Sequence, residues 1–118
     1  MTPGAKTPEE LESLLEDAFL TRDAEALREM FEEGAVLIAG ARQQEARGGG
    51  AIGRLAFSLW EGDQTYVAEP RRVVQARRTA LVLGGGGVSV VRRGGDGEWR
   101  YAIALLAPDH TTRDEEDR

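Results

Sequence analysis

The chain has 118 residues, 41% hydrophobic and 31% charged, with a formal net charge of -6 and a pI near 4.8. That length and composition fit one hydrophobic core and exclude both a second independent core and a wholly disordered chain. The absence of cysteine excludes disulfides and thiolate metal sites, and the acidic balance opposes general attraction to nucleic acid or to an anionic membrane surface.

Without disulfides, stability has to come from the core or from a second subunit, so a homodimer is expected. Residues 1–6 lack an apolar core segment, and no stretch approaches the roughly 20 apolar residues that cross a bilayer. Neither export nor membrane insertion is expected, and the expected compartment is the cytoplasm.

In chain order, Thr7, Pro8 and Glu10 read as a helix start: a capping threonine, a first-turn proline and a glutamate that reaches back. Leu11, Leu14, Leu15, Ala18 and Phe19 form the apolar stripe of that helix, with Glu9, Glu12, Glu16 and Asp17 read as facing water. Asp23 caps a second, short helix whose buried side is Leu27, Met30 and Phe31 and whose stop is Gly34. Val36, Leu37 and Ile38 then read as a first strand closed by Gly40, with residues 43–47 as its return. Gly48, Gly49 and Gly50 break the chain before a third helix that carries Ile52, Leu55, Ala56, Leu59 and Trp60 on one face and ends at Gly62 and Asp63.

Everything after that reads as strand: residues 65–75, 79–91 and 98–106. The run from Gly94 to Gly97, with Asp96 before the last glycine, is a hairpin turn. Gly84 to Gly87 admits two readings, a loop between two short strands or a bulge that bends one long strand, and the bend is preferred. One domain over 1–118 is expected, with its core at about 7–107 and a charged tail at about 108–118 expected to be mobile.

Local detail adds to this order. The run from Arg22 to Leu27 followed by Met30-Phe31 and by Gly34 to Leu37, the glycine-led helix entry Gly49-Gly50-Ala51-Ile52, and Asp96-Gly97-Glu98-Trp99-Arg100 before the last strand together resemble the nuclear transport factor 2-like superfamily, which includes SnoaL-like and ketosteroid isomerase-like proteins. The resemblance spans roughly residues 8 to 107. It implies an α+β fold in which three helices from the N-terminal half pack in a strongly curved antiparallel sheet, a cone-shaped α+β barrel with a pocket at its open end. Members of that superfamily include enzymes and non-catalytic binding or dimerisation domains, so the fold leaves function open.

A ketosteroid isomerase-like site needs a carboxylate proton shuttle and acid donors; that enzyme is the standing example of an aspartate base facing a tyrosine and a protonated aspartate. The first strand here, from Val36 to Gly40, contains no acid and the first helix contains no tyrosine, so no catalytic residue carries over. Glu45, Glu69 and His110 are the candidate acid–base groups, each weighed against an ordinary solvated side chain. Phe19, Trp60, Tyr66, Trp99 and Tyr101 are the candidate ligand-binding residues, weighed against plain core packing.

One histidine and no cysteine give no protein-only zinc site, and no metal is expected. The glycine runs match neither a P-loop nor a dinucleotide fingerprint, so no cofactor is expected. Arg71, Arg72, Arg77, Arg78, Arg92, Arg93 and Arg100 make the β half basic, and they are read as solvated strand-end side chains rather than an RNA platform. The functional expectation is a SnoaL-like small-molecule pocket protein that binds or transforms a small apolar ligand. The competing expectation is a non-catalytic homodimerisation or protein-interaction domain.

Overall fold

The computed structural model describes residues 4–106, and the expected charged tail lies outside them. Helix α1 spans Pro8–Thr21, and its N-cap Thr7 accepts from the Glu10 backbone amide while Glu10 Oε1 accepts from Lys6 N at 2.6 Å. Helix α2 spans Ala24–Glu29 and starts on Asp23, whose carboxylate accepts from Ala26 N. Both starts match their sequence signals because a side-chain acceptor satisfies amides that the helix itself cannot pair.

Strand β1 spans Phe31–Ala39, β2 Gln44–Arg47, β3 Pro70–Ala76, β4 Thr79–Gly84, β5 Gly87–Arg93 and β6 Trp99–Leu106, with helix α3, Gly48–Glu61, between β2 and β3. They form one six-stranded sheet in the order β2-β1-β6-β5-β4-β3. The sheet is mixed and open: β1 runs parallel to β6, every other pair is antiparallel, and β2 and β3 are free edges. Strand-type residue patterns carry no direction. The long connection through α3 and β3 to β5 supplies the crossover that a parallel pair needs.

Four element boundaries differ from the sequence reading, each for a local reason. Gly34 does not stop α2; it lies inside β1 with φ +77, where the register against β6 shifts between Phe31 and Val36. Gly48 to Gly50 form the first turn of α3 rather than a break before it. Residues 64–69 form no regular strand before β3. Gly84 to Gly87 is a hairpin turn, not a bulge: Gly84 pairs with Gly87, so two separate strands meet there. The alternation of Leu81 and Leu83 with Val88 and Val90 reads the same along one bent strand or across two paired ones.

Sheet pairing sorts side chains by face. Val73, Val82, Ser89, Ala104, Leu37 and Ala46 stand opposite one another across all six strands, on the face that packs against the helices. The neighbouring row, Val74, Leu81, Val90, Ile103 and Val36, lies on the outer face. Register shifts in β1, β3 and β5 curve the sheet around the helices, because an extra residue on one strand increases local bend and twist.

The glycine turn is packed tightly. A Cβ on Gly86 would come within 2.5 Å of the Tyr66 ring, and one on Gly87, at φ +142, would meet the Leu105 carbonyl of β6. Gly87→Ala is expected to lower stability by about 2 kcal/mol, a fall in Tm of roughly 10 °C in thermal denaturation. Gly95→Ala, whose methyl meets nothing within 4 Å, is expected to stay within about 0.5 kcal/mol of the parent; equal losses at both positions would show that the Gly87 conformation is not required.

Candidate functional site

The interior is organised by a residue that the sequence reading placed in water. Glu12, Leu15, Glu16 and Phe19 follow i, i+3, i+4, i+7 spacing along α1 and so share one face. The buried arc of α1 includes Leu11, Glu12, Leu15, Ala18 and Phe19, while Leu14 is only half-buried. Glu12 is 4% exposed and is the one buried carboxylate among the described residues.

Both Glu12 oxygens are engaged. The Tyr66 hydroxyl donates to Oε1, and the Tyr101 hydroxyl donates to Oε2 at 2.6 Å. These are the two tyrosines of the chain. Tyr66 comes from the irregular segment after α3 and Tyr101 from β6, so one carboxylate ties α1 to both. One turn along, Glu16 Oε1 accepts from Ala68 N at 3.1 Å and fastens the same segment a second time. No lysine or arginine pairs with Glu12 among the described residues.

Burial first, then the Coulombic influence of Glu12, pushes the Tyr66 phenol well above its ordinary value, and burial and Glu12 do the same to Tyr101. Both phenols therefore remain protonated donors at neutral pH. Chemically, the arrangement is a carboxylate held by two hydroxyl donors in a low-dielectric setting, where charge and proton position matter more than in water.

Aromatic rings surround this centre. Phe19 meets Trp60 edge-on, with ring centroids 5.7 Å apart, and lies tilted on Tyr66 at 6.0 Å. Phe31 stacks obliquely on Tyr101 at 5.2 Å. Trp60 Nε1 is buried with no hydrogen-bond partner among the described residues, a donor whose desolvation is uncompensated.

Four of the five proposed ligand-binding residues, Phe19, Trp60, Tyr66 and Tyr101, thus form a connected cluster with Glu12. Trp99 is buried as well, but its backbone amide donates to Ala5 O and its side chain lines a different cleft. Glu45 is exposed on the edge strand β2, 2.7 Å from Arg47 Nε. Glu69 is exposed, with its carboxylate 3.6 Å from Arg71. Neither joins the interior centre, and His110 lies outside the described residues. Glu12 was missed because glutamate on an acidic helix is ordinarily solvated; its spacing with Leu15 and Phe19 was the available signal.

The basic strand ends are solvated or paired, with Arg92 held by Glu32 and Arg100 by Asp96 and Glu98. Among the described residues no group of three His, Cys, Asp or Glu side chains could hold a metal ion, and no helix is long and apolar enough to cross a membrane.

No protein-family model matches the sequence, and no curated protein matches it. Solved structures do match. A protein of unknown function with a cystatin-like fold from Nostoc punctiforme superposes with TM-score 0.71 at 15% identity, covering 88% of this chain and 90% of that one. A ketosteroid isomerase-like protein from Erwinia carotovora atroseptica gives TM-score 0.59 at 23% identity, with 87% and 98% covered. An NTF2-like protein of unknown function from Pseudomonas putida gives TM-score 0.60 at 18% identity, with 83% and 81% covered. With three helices held against a curved, open six-stranded sheet, this chain has the cone-shaped α+β fold of the nuclear transport factor 2-like superfamily.

Proposed function

We propose that this is a small-molecule pocket protein of the SnoaL-like type, which binds or transforms a small, mainly apolar ligand at the Glu12 centre. The observation that carries the reading is a carboxylate buried without a cationic partner and held only by Tyr66 and Tyr101. A purely structural core gains little from such a group, because desolvating a charge is costly and apolar residues of similar volume serve stability as well or better. Buried ionisable groups retained inside an aromatic cluster are candidates for ligand recognition or proton transfer.

The unpaired Trp60 Nε1–H supports the same reading. A ligand with an apolar body and one acceptor oxygen, such as a carbonyl, would satisfy it while resting on Phe19. In a catalytic version Glu12 is the proton shuttle, and Tyr66 and Tyr101 are the donors that steady charge as the proton moves.

A homodimer is compatible with this function and has its own support. The outer face of the sheet exposes Val74, Leu81, Val88 and Ile103, backed by half-buried Val36, Ile38, Leu83, Val90 and Leu105. Contiguous exposed apolar surface on that scale is characteristic of an interaction face, and the same self-complementary patch on two copies closes a two-fold dimer.

Native mass spectrometry of freshly purified protein tests both parts at once. The expected spectrum is a dimer carrying a small organic molecule, with Glu12→Gln losing the molecule but not the dimer, and Ile103→Lys, at a position already 46% exposed, giving monomer. Retention of the same molecule by Glu12→Gln would overturn the assignment of the site. A ligand-free dimer on incubation with apolar carbonyl compounds would favour the non-catalytic dimerisation reading.

A further inference from the structure

A second cavity lies apart from the Glu12 centre. It is a cleft of about 560 Å³ between α1, α2 and the turn that joins β5 to β6, well within the range of small-molecule sites. Its apolar surface comes from Leu11, Leu14, Met30, Phe31 and Trp99. Leu11 and Phe31 form the partition: Leu11 precedes Glu12 on α1, and Phe31 stacks on Tyr101 with centroids 5.2 Å apart.

The polar part of the cleft is biased in sign. Glu29, Asp96 and Glu98 line it, and Arg100 is the cation among the lining residues. Arg100 is already committed, 2.8 Å from Asp96 Oδ2 and 3.3 Å from Glu98 Oε1. The Arg100 hydrogen bond holds the Asp96 carboxyl down at about 2. Lys6 approaches Glu98 at 3.9 Å, while Glu29 forms no hydrogen bond or salt bridge among the described residues. Three carboxylates against two engaged cations leave Glu29 as the charge available to a ligand. Aromatic surface next to carboxylates suits a cation with an apolar body, because ring faces attract cations and the carboxylates repel anions.

We propose that this cleft is a second ligand site, separate from the Glu12 centre, that takes an amphiphilic organic cation: an apolar body against Leu14, Met30 and Trp99 and an ammonium group beside Glu29. The test uses 4-phenylbutylamine and the anionic counterpart 5-phenylpentanoate, titrated into isotope-labelled full-length protein and followed by backbone amide and indole N–H NMR shifts. The amine is expected to move the resonances of Glu29, Met30, Phe31, Trp99 and Arg100 and to bind about fivefold tighter than the carboxylate. Glu29→Gln, at an exposed position, is expected to reduce that preference to about twofold.

Equal or tighter binding of the carboxylate overturns the charge assignment. Shifts centred on Phe19, Trp60 and Tyr66 overturn the location, and no shift with either probe overturns the site. An undiminished preference in Glu29→Gln removes Glu29 from its role.

Discussion

The contact on which the rest of the structure depends is the one between the Glu12 carboxylate and the two phenols. It joins the first helix, the segment after the third helix and the last strand, three parts of the chain that are distant in sequence. A buried carboxylate is expensive unless its lone pairs are engaged, and two hydroxyl donors engage one oxygen each. The cost also makes the arrangement specific. Moving α1 by one residue along its axis or changing the position of β6 leaves at least one phenol or one carboxylate oxygen buried and unpaired.

The curved sheet makes that meeting possible. Register shifts in three strands turn its inner face toward α1 and α3, and Gly34 supplies the left-handed backbone where β1 changes register. At the far hairpin, the lack of side chains on Gly86 and Gly87 lets the turn approach Tyr66 and β6 closely. The glycines that look like flexible punctuation in the sequence therefore set how far Tyr66 reaches into the interior. Tyr66 is positioned from two sides, by Gly86 behind its ring and by Glu12 at its hydroxyl.

Much of this was legible in the sequence. The caps at Thr7 and Asp23, the turn at Asp96-Gly97 and the aromatic set around Phe19, Trp60, Tyr66 and Tyr101 follow from short-range chemistry that a linear pattern carries. Strand direction did not follow, because the β1–β6 pairing depends on a crossover rather than on either strand's residues. The Gly84 to Gly87 turn was ambiguous because two paired strands and one bent strand share the same alternation. Glu12 was hidden by a general tendency: acids on helices face water, and only a partner from elsewhere in the chain reverses that. Tyr66 and Tyr101 were identified as polar-tipped aromatics, but what their hydroxyls meet is a tertiary fact.

An interior that joins aromatic walls to a tethered carboxylate can hold an apolar molecule and act on its protons, and the fold leaves both the ligand and the reaction to the residues around Glu12. The grip itself can be tested without knowing either. The two tyrosines are the only phenols in the chain, so alkaline titration followed by phenolate absorbance, with circular dichroism on the same sample, reports on this contact alone. Both phenols lie above their ordinary value in the folded state, so their contribution to stability is full below about pH 10, where unfolded tyrosine begins to ionise, and is lost as pH rises beyond it. The expected result is no phenolate near pH 10 while the fold persists, followed by both phenolates appearing together with the loss of structure. A phenolate that titrates near pH 10 in intact protein would contradict the account.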